Sequence, residues 1–276
     1  MNKNAIKLNN RGFLYLSGED IRKFLQNLIT NNTNKVKSGN GLYTALLTPQ
    51  GKYLFDFFLV EDEEHLILDC HINQTQAILQ KLNMYKLRAD VQILDISNKT
   101  SVWSTTCLVG SDHKDHITIK DPRHQDMGYR LYLSKNCMPV LPKAEMINYE
   151  TRRINLGIPE GPIDLEEGKR FIMEANFEEL NGLDFTKGCY VGQEINARMK
   201  YRGTLKKRII PVKFEGEAPQ PHTSVMLGDK VVGEVLSGIK GKALAILRLE
   251  RLKENLIFED GRKITPIIPN WLCLEN

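Results

Sequence analysis

The sequence predicts an α+β fold in which two subdomains share strands and a small β-barrel or sandwich closes the chain. Three observations predict it. Up to about residue 205 the pattern runs helix, three-stranded meander, helix and further strands. Beyond Lys206 only short β-prone runs remain, separated by glycines and prolines. The 276 residues, 41% apolar and 26% charged, provide a core for two domains or one compact unit of intertwined subdomains, which excludes disordered, collagen, coiled-coil and low-complexity classes. The boundary that follows places residues 1–205 in the first module and 206–276 in the second.

Each element has its own signal. Over residues 17–30 Ser17 is placed to cap a helix, and Ile21, Phe24, Leu25, Leu28 and Ile29 recur at helical spacing. After a polar stretch, strands are predicted at 42–47, 53–60 and 65–69, the first turn being Thr48-Pro49-Gln50-Gly51. A second amphipathic helix spans 72–87 and runs into a strand near 91–96. Further strands are predicted at 102–109, 116–119 and 129–133, then a helix at 143–156 ended by Gly157 and Pro159. A loop-rich stretch with a short helix near 174–180 leads to the closing strands at 209–214, 225–227, 231–237 and 243–249.

Several classes drop out. The longest apolar run, 53–60, is too short to span a bilayer and is interrupted by Asp56. The N-terminus has no apolar stretch of the kind a secretory signal needs, so a cytoplasmic location is expected. The five cysteines (Cys70, Cys107, Cys137, Cys189, Cys273) are widely separated, and neither they nor the six scattered histidines carry metal-ligand spacing, so no metal site is expected. No GxGxxG, GxxxxGK[ST] or HExxH motif occurs.

Three places carry chemistry-bearing residues. In KGCYVGQE, residues 187–194, two glycines bracket Cys189 and Lys187 lies two residues before it, a setting that lowers a thiol's pKa; a buried, inert cysteine is the competing reading. Glu174 and Asn176 lie among apolar residues, where a ligand edge with two adjacent N–H groups or simple capping of a helix would satisfy them. Asp56 shares a face with Leu54 and Phe58 if alternation holds, and so faces either solvent or a pocket. From Arg198 to Arg208 six basic residues occur without an acid, a solvated face or an anion-receiving surface; with Tyr201 the only aromatic among them, nucleic acid is not expected as a partner.

The segment KGCYVGQE (Lys187, Gly188, Cys189, Tyr190, Gly192, Gln193, Glu194) followed by Arg198 resembles the signature of the YgfZ-type folate-binding proteins, an iron–sulfur cluster assembly factor family. FLQNLITN (24–31), GIPEGPIDL (157–165), EANFEELNGLDF (174–185), RGTLKKRIIPV (202–212) and ALAILRLER (243–251) extend the resemblance along nearly the whole chain. It implies a fold similar to the glycine-cleavage T-protein, an aminomethyltransferase: a three-domain ring around an opening that holds tetrahydrofolate. It also implies that Glu174 and Asp56 face the pterin and that Lys187 and Arg202 take the anionic tail. Cys189, which true aminomethyltransferases lack at this position, then belongs to the branch's own role: helping to assemble or repair 4Fe–4S clusters in client enzymes, including those that methylthiolate tRNA. The partners so implied are folate and iron–sulfur client or assembly proteins, with no membrane. An active folate-dependent one-carbon transferase using Asp56, or an interaction module using the basic stretch, are the competing readings.

Overall fold

The computed structural model describes residues 3–108, 116–203 and 205–274. Two five-stranded sheets and a closed six-stranded barrel carry the fold. The first sheet has the spatial order Leu42–Leu47, Tyr53–Asp62, His65–His71, Arg11–Ser17, Gln92–Asp95. The second has Lys143–Ala144, Ala5–Lys7, Thr100–Thr105, Tyr129–Ser134, Ile117–Lys120. The N-terminal segment thus gives one strand to each sheet, which is what interleaves the two subdomains. The helices are α1 (Ile21–Gln26), α2 (Thr75–Lys86), α3 (Met146–Leu156) and α4 (Gln193–Tyr201). None is long and apolar enough to cross a membrane.

The α+β architecture and the closing barrel are as the sequence predicts; the differences have local causes. Ser17 caps nothing: it ends a strand and pairs with Gln92, and the chain turns at Gly18 with φ +115° before the short α1. Ile29 then leaves helical geometry to bridge Leu46. The helix expected at 143–156 begins only at Met146, because Ala5 and Ile6 recruit Lys143 and Ala144 as a parallel strand. It ends as expected at Gly157, in left-handed conformation. No helix forms at 174–180: Asn176 has φ +60°, and its amide is spent on Ile209 O and the Arg208 guanidinium. The strand expected at 102–109 is observed as Thr100–Thr105, and Val109 lies outside the described residues.

The barrel runs Lys207–Lys213, Lys242–Arg248, Lys230–Ile239, Ser224–Leu227, Leu256–Phe258 and Lys263–Pro266 and closes on itself. Closure satisfies edge hydrogen bonds that an open sheet would leave exposed. The last two strands were not readable, being three and four residues long.

Where the three units meet, charge fills the interior. Asp69 accepts from Arg11 Nε and from Arg130 Nη2, each at 2.6 Å, joining the two sheets. Arg153 of α3 donates to Asp164 at 2.6 Å and to Ser237 of the barrel at 2.9 Å. Tyr149 bridges Arg123 and Glu160 at 2.9 and 3.1 Å. All these ionic groups are buried, and buried charges persist only when paired in this way.

Candidate functional site

Asp56 lies in the strand Tyr53–Asp62, opposite Ala45, and is 3% exposed. Its carboxylate accepts from Tyr53 OH at 2.8 Å and from Tyr43 OH at 2.9 Å. Alternation places Asp56 correctly on the face of Phe58 and fails for Leu54, because the register shifts between Leu46 and Leu47. That bulge turns Tyr53 to the side of Asp56, while Leu54 packs into the other core cluster. Asp56 is therefore neither a solvent-side residue nor a residue lining an open pocket. Burial pushes its pKa up, against Arg11 and the two tyrosine hydroxyls. Gly161 lies directly over it: a Cβ there would collide with Tyr53 Oη and Asp56 Oδ1.

Glu174 is half-buried, and its Oε2 accepts from the Phe171 amide at 3.1 Å. Burial raises its pKa, against the Phe171 amide and Arg170. Its carboxylate closes a local turn with Phe171 and caps no helix.

Lys187 is buried, and Nζ donates to Gln26 O at 2.7 Å, Ile29 O at 2.6 Å and Asn31 O at 2.7 Å. Gln26 O is left open at the end of α1, and Ile29 O and Asn31 O follow in the segment after it, so one cation serves all three. Burial lowers the pKa of Lys187 to about 8. The sequence reading gave Lys187 to the thiol of Cys189 or to a ligand's anionic tail. The structure corrects both, because all three ammonium protons point at backbone carbonyls.

Cys189 is exposed. The loop that presents it is fixed on both sides, by Lys187 before it and by buried Tyr190 and Gly192 after it. Gly192 has φ +81° and opens α4; a Cβ there would come within 2.6 Å of Thr48 O and 2.9 Å of Gly51 Cα. Gly188, by contrast, has open space around it and ordinary φ, so only one of the bracketing glycines is conformationally required. Gln193 and Glu194 form the first turn of α4, Arg198 its last turn, and Arg202 is exposed just past its end.

Two residues in this arrangement escaped the sequence reading. Asn196, fully buried, donates to Gly51 O and Gly192 O, both at 3.1 Å, clamping the Thr48–Gly51 turn to the signature loop. Asn31 donates to Tyr43 O at 2.8 Å and Asn181 O at 2.7 Å. The available signals were Asn196 four residues after Gly192 and Asn31 in the quoted FLQNLITN. The basic stretch proves less free than its composition suggests: Lys200 pairs with Glu178, and Arg208 pairs with Glu179.

The residues expected to hold tetrahydrofolate do not fit it as placed. Asp56 is sealed beneath Gly161, Lys187 is spent on carbonyls, Glu174 keeps one oxygen, and Arg202 stands in solvent. Cys189 lies on the surface and Asp56 in the interior. Among the described residues no group of three or more His, Cys, Asp or Glu side chains is placed to hold a metal ion.

The fold and the exposed cysteine loop define a class, an aminomethyltransferase-T scaffold carrying a signature thiol. The structure matches that of glycine cleavage system aminomethyltransferase T from Bartonella henselae with TM-score 0.77, covering 96% of this chain and 85% of that one at 12% identity; the likeness shows the fold alone. Residues 206–273 match the family described as CAF17, C-terminal beta-barrel domain. The chain is 30% identical to the mouse iron–sulfur cluster assembly factor IBA57, mitochondrial, over 97% of its own length and 85% of that protein. It is 31% identical to the Neurospora crassa IBA57 homolog over 86% of its own length and 61% of that protein. The chain belongs to the IBA57 family of iron–sulfur cluster assembly factors. The narrower YgfZ label read from the signature belongs to a related family. The expected cytoplasmic location is overturned, since these relatives are named as mitochondrial proteins.

Proposed function

We propose that this protein assists assembly or repair of 4Fe–4S clusters in client enzymes, with the exposed signature thiol Cys189 as thiolate ligand or redox-sensitive group. The observation that supports this is Cys189 standing in solvent on a loop that Lys187, Asn196 and Gly192 hold in place, with no metal-ligating cluster among the described residues. A 4Fe–4S cluster takes four ligands, and among the described residues no three ligating side chains are grouped, so this chain shares a cluster transiently and does not store it. The clients in this reading are 4Fe–4S enzymes, those that methylthiolate tRNA among them. No step is routed through folate, because Asp56 and Lys187 are already committed inside the protein.

The test is complementation. In cells lacking the protein, Cys189→Ala should fold with an unchanged melting temperature and fail to restore a 4Fe–4S enzyme; full restoration would remove the role given to Cys189. The competing transferase reading requires product from tetrahydrofolate and an aminomethyl donor. Closure over Asp56 opposes it, and purified protein should show no turnover.

A further inference from the structure

We propose that the solvent side of α4 and the stretch after it, carrying Arg198, Tyr201, Arg202 and Lys206, docks the protein that shares a cluster with Cys189, by receiving a carboxylate-rich surface; this rests on the assembly role proposed above. α4 begins at Gly192, the residue that closes the signature loop, and its nine residues span about 14 Å, so this surface and the thiol belong to one continuous segment. On its buried side Asn196 ties the helix to the turn at Gly51. Toward solvent, Tyr201 is 73% exposed. Its ring stands edge-on to Phe185 with centroids 6.0 Å apart, and the Lys200 ammonium lies 5.9 Å from its centre. A tyrosine so held, with Arg202 next to it and Arg198 one turn back, has the composition of an interface anchor: a broad ring with a polar tip among guanidinium groups.

The charges of this segment do not cancel. Lys200 pairs with Glu178, Arg208 with Glu179 and Lys35 with Asp184. Glu250, next to the Leu249 amide that bonds Lys206 O, pairs with Arg251. Two carboxylates remain: Glu194, one turn before Arg198 on α4, and Glu174, which Lys207 attracts. Even with Glu194 given to Arg198 and Glu174 to Lys207, Arg202 and Lys206 are left over. Both are exposed, and among the described residues neither side chain makes a salt bridge or a hydrogen bond. The complement of this surface is therefore a set of glutamates or aspartates around a seat for one aromatic ring. A single-stranded nucleic acid would need a series of stacking rings along its phosphates, and the stretch from Arg198 to Arg208 has Tyr201 alone, which favours an acidic protein.

The probe is a synthetic helical peptide with glutamates one turn apart, set against the same peptide with glutamines and against a single-stranded oligouridylate of equal length. Fluorescence anisotropy with the full chain should show binding of the glutamate peptide, weakening with salt, and none of the glutamine peptide. Arg202→Glu and Tyr201→Ala should each weaken it about tenfold or more at an unchanged melting temperature, separating docking from folding. Lys230→Glu makes the same charge reversal at an exposed position of the barrel hairpin around Gly228 and should change binding by less than about twofold, which separates the place of the charge from its sum. In cells Arg202→Glu should lower rescue of the 4Fe–4S enzyme and Lys230→Glu should not, with Cys189→Ala run in parallel. Equal binding of the two peptides or binding of neither, equal weakening by Arg202→Glu and Lys230→Glu, or full rescue by Arg202→Glu beside a failing Cys189→Ala would overturn the surface and leave the assembly role standing. Full rescue by Cys189→Ala would overturn the assembly role itself. Tighter binding of the oligouridylate than of the glutamate peptide would assign the surface to nucleic acid and overturn the proposal.

Discussion

The Lys187 ammonium donates to the Ile29 carbonyl at 2.6 Å, joining residues 158 positions apart, and the carbonyls of Gln26 and Asn31 take its other protons. The first residue of the signature is thus the pin that ties its loop to α1. Lys187→Met keeps the aliphatic stem and leaves three buried carbonyls without a donor. An unsatisfied buried polar group costs about 1–3 kcal/mol, so the variant should unfold at lower urea and its Cys189 should alkylate faster. Lys187→Arg should not restore the wild type, because a planar guanidinium cannot converge on three carbonyls arranged around a point. Unchanged urea midpoints in both variants would show that the pin carries no weight.

The two glycines of the signature should behave differently. Gly192→Ala places a Cβ within 2.6 Å of Thr48 O on a backbone with φ +81°, so the turn at Gly51 must move away. The expected loss is about 1–3 kcal/mol from strain of this kind, with weakened clamping by Asn196. Gly188→Ala meets no neighbour within 4 Å and should leave stability unchanged. Thermal melts of the two variants side by side decide this; equal losses would contradict the assigned geometry.

Much of this was legible in the chain and some was not, for reasons that individual residues make plain. The meander, α2 and the first four barrel strands announce themselves by periodicity, because their partners are near in sequence. Cys189 stood out by composition alone. Asp56 stands out as an acid in an apolar strand, and alternation pairs it rightly with Phe58 but wrongly with Leu54, because a bulge at Leu46 and Leu47 is written in backbone geometry and not in residue type. The bonds that Lys187 and Asn196 make could not be read, since carbonyls they serve come from segments more than 140 residues away. The interior ion pair between the sheets escapes notice for the same reason: Asp69 and Arg130 are unremarkable until the two sheets meet.

Asp56 should prove structural. Asp56→Ala leaves the hydroxyls of Tyr43 and Tyr53 buried without their shared acceptor, a loss of about 1–3 kcal/mol for each unsatisfied group. Asp56→Asn keeps an acceptor for one hydroxyl and offers an N–H to the other, so most of the stability should return. Chemical denaturation ranks the three proteins. Titration with tetrahydrofolate adds the second readout: Asp56→Asn should behave as the wild type does, and a selective loss of affinity would mean that the Gly161 cover opens to admit a ligand.

Stability should depend on pH in two opposed windows. Against burial, which raises it, Arg11 and Arg130 hold the Asp69 carboxyl below its ordinary range. Glu160 is likewise depressed, by Arg11, Arg153 and Arg123, and Asp121 by Arg123 and Arg130. For such groups the unfolded chain takes up protons first, so their contribution is complete above the unfolded values of about 4 and disappears as pH falls through the lower folded values. Asp56 and Glu174 are shifted up by burial and act in the other sense: the folded protein takes up protons first, so acidification from neutral toward about 4 favours folding. The urea midpoint should therefore hold level or rise slightly from pH 7 to about 5, then drop steeply below about 4 as the ion pairs between the three units break. Asp56→Asn should flatten the upper window and leave the acid limb in place. A midpoint that does not drop below pH 4 in the wild type would show that the buried ion pairs do not hold the units together.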